Sequence, residues 1–168
     1  MFPIVYIISD VVSEVYGYNV AKKAIWGGLI ANVYALSALT IVAYIAGSES
    51  AMYGYIIGDY GVASAVVVAI AGFSAYLVAS FVNAYVMKKM KDRDKEKRFA
   101  LRAIVSTLFG ESCDSAVFGV IACVCGLWSW NDFVPTVTPI IVLKTSVEAL
   151  CLPVTTRVVR KIEAIESR

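Results

Sequence analysis

The residues best placed to do chemistry lie in residues 102–118, RAIVSTLFGESCDSAVF. On a helix, Thr107, Glu111, Asp114 and Phe118 fall at i, i+4, i+7 and i+11 and share one face. Ser106 sits beside Thr107, while Ile104, Leu108, Ala116 and Ile121 make an apolar opposite face. The apolar run continues to Leu127, long enough to cross a bilayer, which takes about 20 residues. A carboxylate inside such a run costs a few kcal/mol on insertion scales, so both acids must face protein, water or a ligand. Three more acids interrupt apolar runs elsewhere. Asp10 and Glu14 are one turn apart in 2–18, and Lys144 and Glu148 are one turn apart near the C-terminus. Asn83 closes a third polar stripe with Tyr76 and Ser80.

This set holds five acids and one base. Lys144 and Glu148 can pair along their own helix, which leaves Asp10, Glu14, Glu111 and Asp114 without a basic partner inside the spans. Such a set either holds protons or meets a cation or a ligand rich in hydrogen-bond donors. The chemistry that fits is recognition of a planar heterocycle. A guanine-like edge offers a ring N–H and an exocyclic amine side by side, which one carboxylate accepts as a bidentate pair, and an asparagine reads an acceptor–donor edge in the same way. Tyr6, Trp26, Tyr76, Phe81, Phe109 and Phe118 are candidates to stack on the ring faces or, with more precedent, to pack the bundle.

The elements that must position these groups are membrane helices. The chain has 168 residues, of which 60% are hydrophobic and 17% charged, with a mean hydropathy of +0.75. A soluble domain is about 45–50% apolar and about 25% charged. The expectation is an all-α polytopic membrane protein, a single transmembrane domain over residues 1–168 with a compact bundle of about five helices. Full spans are expected near 25–47, 62–87, 104–127 and 137–159, after a shorter apolar segment at 2–18. Pro139 falls in the first turn of the last span, and Pro153 lies inside it, where it should kink the helix. Trp128, Trp130 and Phe133 form an aromatic cluster suited to a membrane interface.

Charge alternates along the chain. Of the 15 lysines and arginines, two are Lys22 and Lys23, eight lie in 88–102, four lie in 157–168, and Lys144 is intramembrane. The turn region 48–61, with Glu49 and Asp59, carries no base, and neither does the loop of the aromatic cluster. By the positive-inside rule the basic loops, 88–102 among them, and the C-terminus are cytoplasmic, in a multi-pass protein of the cytoplasmic (inner) membrane. There is no histidine, which removes imidazole metal sites and relays. Cys113, Cys123, Cys125 and Cys151 all fall in spans and read as small apolar residues. No cofactor, metal or nucleic-acid partner is expected.

Three stretches carry a family resemblance, in the right order over nearly the whole chain. SDVVSEVYGYNVAKKAIWGG (9–28), SFVNAYVMKKMK (80–91) and STLFGESCDSAVF (106–118) resemble the signature regions of the queuosine precursor transporter family, also called the vitamin uptake transporter family. The resemblance implies import of 7-cyano- or 7-aminomethyl-7-deazaguanine for tRNA modification by a protein that is not an enzyme. It places the acid of the first motif at Asp10, that of the third at Asp114 beside Ser106 and Thr107, and the last-helix lysine at Lys144. The substrate-binding set is then Asp10, Glu14, Asn83, Ser106, Thr107, Glu111, Asp114, Phe118, Lys144 and Glu148. This chain departs from the family in two ways. Members usually have another helix before the first motif, giving about six, and usually an acid where Asn83 stands. A truncated start, a partner or a second copy would account for the first, and the small size also suits a homodimer. The runner-up reading is the substrate-binding membrane subunit of an energy-coupling-factor importer. An intramembrane protease would have to use Gly58-Asp59, which lies in a loop.

Overall fold

The computed structural model describes residues 2–47, 61–94 and 99–166. They form five helices: α1 (Phe2–Val15), α2 (Tyr18–Ala46), α3 (Gly61–Asp94), α4 (Phe99–Val124) and α5 (Trp130–Glu166). All but α1 are long and apolar enough to cross a membrane. α1 has 14 residues, about 21 Å at 1.5 Å per residue, well short of the roughly 30 Å hydrocarbon layer. The expected all-α membrane bundle is therefore present, with one short helix and four long ones.

The long helices overrun the expected spans. α3 continues through Lys88–Lys91 to Asp94, and α4 begins at Phe99. The basic segment 88–102 is thus largely the ends of two helices. α5 starts at Trp130, so Pro139 lies within it together with Pro135 and Pro153. Most of the aromatic cluster, taken from sequence as loop, belongs to that first stretch of α5. Trp130 and Phe133 lie 6.3 Å apart between ring centroids. The acid-bearing turn region around Glu49, Gly58 and Asp59 lies outside the described residues, as does the side chain of Tyr6.

α1, α3, α4 and α5 pack in a ring, each touching the next, and α2 lies outside it against α1 and α3. Its outer half carries Ile30, Tyr34, Tyr44 and Ile45 with more than two thirds of their surface uncovered, as suits contact with lipid tails. α1 turns into α2 at Gly17, whose φ of 78° is the left-handed conformation that costs other residues energy.

Large apolar side chains do not fill the centre. The buried hydrophobics are mainly alanines, Ala71, Ala75 and Ala79 of α3 among them, and the largest fully buried side chains are Arg102, Met87, Glu111, Asn83, Thr107 and Asp10. Small residues let helix backbones approach where lipid is as apolar as leucine and burial drives little. Two apolar clusters flank the polar centre. Ala21, Ile25 and Ala84 pack with Val12, Tyr76 and Phe81 to join α1, α2 and α3. Met87, Ala103 and Leu152 join α3, α4 and α5.

The α2–α3 seam depends on Gly28. A Cβ there would overlap the Tyr76 hydroxyl, which donates to the Ile25 carbonyl at 3.2 Å. Gly28→Ala should therefore destabilise the fold by about 1–2 kcal/mol through overpacking. Adding Tyr76→Phe should recover most of the lost melting temperature, measured on detergent-purified protein. An undiminished melting temperature in the single variant would contradict the close packing.

Candidate functional site

The buried polar groups form three tiers along the bundle axis. Helix pitch sets the spacing. Asp10 and Glu14 are one turn apart on α1, Thr107 and Glu111 on α4, and Lys144 and Glu148 on α5, so each step is about 6 Å. From Arg102 to Asp114 the ladder spans about 18 Å, more than half of the hydrocarbon layer.

At the basic end Glu14 is 3% exposed and Arg102 fully buried. Arg102 Nη2 donates to Glu14 Oε1 at 2.6 Å. Lys91 Nζ lies 3.5 Å from the same oxygen and donates to the Glu14 main-chain carbonyl at 2.6 Å. One carboxylate thus ties α1 to α3 and α4. Just outside this tier, Lys22 and Lys88 flank the ring of Tyr18 at 4.7 and 5.2 Å from its centroid.

The middle tier joins α1, α3, α4 and α5. Asn83 Nδ2 donates to Asp10 Oδ1 at 2.8 Å. Thr107 Oγ1 donates to Glu148 Oε1 at 2.7 Å. Asp10 and Glu148 neighbour one another at this level. Asp10 is 1% exposed and Glu148 3%. The side chains shown bonding this pair, Asn83 and Thr107, are neutral.

In the far tier, Lys144 Nζ of α5 lies 2.7 Å from Glu111 Oε2 and donates to Asp114 Oδ2 at 3.1 Å. Glu111 is buried and Asp114 half-buried. Lys144 therefore reaches across to α4, where the sequence suggested a pair along α5 with Glu148. The expectation of four acids without basic partners is corrected as well, since Glu14 is held by Arg102 and Lys91, and Glu111 and Asp114 by Lys144.

Of the ten expected site residues, eight join these tiers: Asp10, Glu14, Asn83, Thr107, Glu111, Asp114, Lys144 and Glu148. Two do not. The Ser106 hydroxyl donates to the Ala103 carbonyl of its own helix at 3.0 Å, a local bond open to any helical serine. Phe118 packs edge-on against Trp128 at 5.5 Å, beyond the far tier. Among the aromatics, Trp26 and Phe109 are more than half exposed on the outer surface, and Phe81 packs beside Trp26. An apolar groove of about 310 Å³ between α1 and α5, lined by Ile8, Val11, Val154 and Val158 among others, lies on the side of α1 opposite Asp10.

Arg102 is the residue that sequence reasoning missed, because it closes a run of bases that reads as a solvated loop. A signal was present. Arg102 precedes Ser106 and Gly110 by one and two turns, and this stripe is buried along α4. Truncating Arg102 to alanine strands Glu14 with only the more distant Lys91. Breaking a buried pair from one side costs about 3–5 kcal/mol, so Arg102→Ala should lower the melting temperature sharply. The double variant Arg102→Ala/Glu14→Gln should regain part of it, and no recovery would argue against a direct pair.

Compared with known families, residues 1–158 match the model described as "Putative vitamin uptake transporter". The matched stretch contains all three tiers. No curated protein and no solved structure matches the chain. The chain belongs to this family of membrane transporters, and its polar ladder lies inside the matched residues.

Proposed function

We propose that the chain imports a queuosine precursor, 7-cyano- or 7-aminomethyl-7-deazaguanine, across the cytoplasmic membrane as a secondary transporter, binding it at the middle tier. The observation that carries this reading is the adjoining Asp10 and Glu148 carboxyls, bonded by neutral side chains between two tiers that contain bases. A deazaguanine presents the adjacent N–H donors that such acceptors take as a pair. Asn83 and Thr107 would hold the carboxyls in orientation from α3 and α4. Lys144, with Glu111 and Asp114, would sit one turn away, within reach of the 7-substituent or the opposite edge. The acid excess suits the cationic aminomethyl form. A site between helices near the bilayer midplane is where secondary transporters bind substrate, and the middle tier lies between the ends of the ladder. The resemblance of residues 9–28, 80–91 and 106–118 to the queuosine precursor motifs supports the substrate class.

The first test is the melting temperature of detergent-purified protein with each deazaguanine, guanine and biotin. A selective rise with a deazaguanine is expected. Asp10→Asn and Asp114→Asn should each abolish both the rise and cellular uptake while expression stays normal. Folded protein that responds to none of the purines would overturn the assignment. Uptake by the chain alone in liposomes is also expected, whereas binding without transport would favour a subunit that needs an ATPase partner.

A further inference from the structure

Outside the ladder, the seam between α1 and α5 leaves an apolar groove of about 310 Å³. Ile8, Val11 and Val12 of α1 line one wall, and Cys151, Val154 and Val158 of α5 line the other. Ile8 and Val154 are more than half exposed, so the groove opens to the hydrocarbon around the bundle. The hydroxyl in its lining, Thr155 Oγ1, donates to the Cys151 carbonyl of its own helix at 3.1 Å. This leaves no strong side-chain donor or acceptor in the lining to orient a polar guest. Size narrows the occupant further. A single helical turn, about 5.4 Å long and about 10 Å wide with its side chains, fills roughly 400 Å³, more than the groove holds. A slender hydrocarbon chain can lie within it, whereas a neighbouring helix could only lie across its mouth.

A second observation concerns what lies at one end. Both walls run toward the basic end of the bundle, α1 from Ile8 to Glu14 and α5 from Glu148 past Val158. On α5, Val154, Val158 and Lys161 fall at i, i+4 and i+7 and share one face. Lys161 thus lies just beyond the groove, about 4.5 Å past Val158 along the helix axis. Arg157 is one turn before Lys161, and both are exposed. Neither has an acid partner among the described residues. Other bases at this end are engaged elsewhere. Lys22 and Lys88 flank the ring of Tyr18, and Lys91 and Arg102 hold Glu14. An apolar slot that ends at two unpaired cations is complementary to a molecule with a hydrocarbon tail and an anionic head.

We propose that this groove is a site for an anionic phospholipid, with one acyl chain between α1 and α5 and the phosphate against Arg157 and Lys161. Arg157 supplies a planar fork that matches two phosphate oxygens, and Lys161 a compact charge beside it. Basic pockets between membrane helices take acidic headgroups in other proteins by the same pairing. The lipid fills the seam between the two helices that carry Asp10 and Glu148. Ile8 and Val11 flank Asp10 in sequence, and Cys151 follows Glu148 by three residues. An occupied groove therefore holds these two backbones from the outside, on the side of α1 opposite Asp10. On the transport reading above, the lipid supports the substrate site without entering it.

The test uses the full chain in mild detergent with phosphatidylglycerol that carries a photoreactive group in one acyl chain. Crosslinks are expected in residues 8–12 and 151–158. Unlabelled phosphatidylglycerol should compete them away, and phosphatidylcholine with the same chains should not. Crosslinks without enrichment at the groove, or equal competition by the two lipids, would overturn the site. Native mass spectrometry of the folded protein supplies a second measurement. Arg157→Gln/Lys161→Gln should weaken retention of phosphatidylglycerol about thirtyfold, while Lys22→Gln/Lys88→Gln should leave it unchanged. Equal loss in both pairs would assign the lipid to the basic end at large and overturn the groove. A wild-type dimer that Val154→Trp splits would give the groove to a second copy of the chain and also overturn it. Neither measurement needs substrate, so a failure of deazaguanine uptake would overturn the transport reading and leave the lipid site standing.

Discussion

A charge inside hydrocarbon has no water to fall back on, and the architecture of this bundle follows from that constraint. Each ionised side chain in the spans must be answered by another side chain, and a partner on a different helix ties two helices together. Glu14 joins α1 to α3 and α4, Lys144 joins α5 to α4, and Thr107 joins α4 to α5. Asp10 joins α1 to α3 through Asn83. These bonds do in the interior what leucines and phenylalanines do in a water-soluble core. Here the apolar residues face outward, and alanines line the seams where helices meet.

The same constraint sets the middle tier apart from the other two. Opposite charges in contact, as in the tiers of Arg102 and Lys144, are the lower-energy way to hold charge away from water, provided both partners stay in place. The Asp10–Glu148 pair lacks that kind of compensation from the side chains bonded to it. It is the level of the ladder at which the proposed substrate would complete the electrostatics. A transporter needs such a place to be only partly satisfied on its own, because a site that is complete without substrate gains nothing by binding it.

Much of this was legible in the residues. Runs of apolar residues with few charges read as spans because helices are the only way to satisfy backbone groups in lipid. Polar residues at i, i+4 and i+7 read as one face because of helix pitch, and eight of the ten expected residues meet accordingly. Partner choice was not legible. Lys144 and Glu148 are neighbours in sequence, but α4 passes close enough for Lys144 to reach Glu111 and Asp114. Arg102 looked like one more base beside the membrane because charge runs near span ends are usually solvated. Its burial depends on α1 ending at the same level, with Glu14 aimed at it. The helix ends were also misplaced, since hydropathy marks where lipid contact stops, and the helical hydrogen bonds of α3 and α5 continue past it.

The carboxylates of α1 recur at the helix pitch, and this has a mechanical consequence. A translation of α1 by one turn, about 5.4 Å, would carry Asp10 to the level Glu14 now occupies, opposite Arg102. As a ruler the ladder is therefore degenerate, because its rungs look alike to an arginine. The register must be set by groups that do not repeat. Those are the left-handed turn at Gly17 and the seating of Val12 and Tyr18 among Ala21, Ile25 and Ala84. The position of the most polar helix is indexed by its most ordinary apolar contacts.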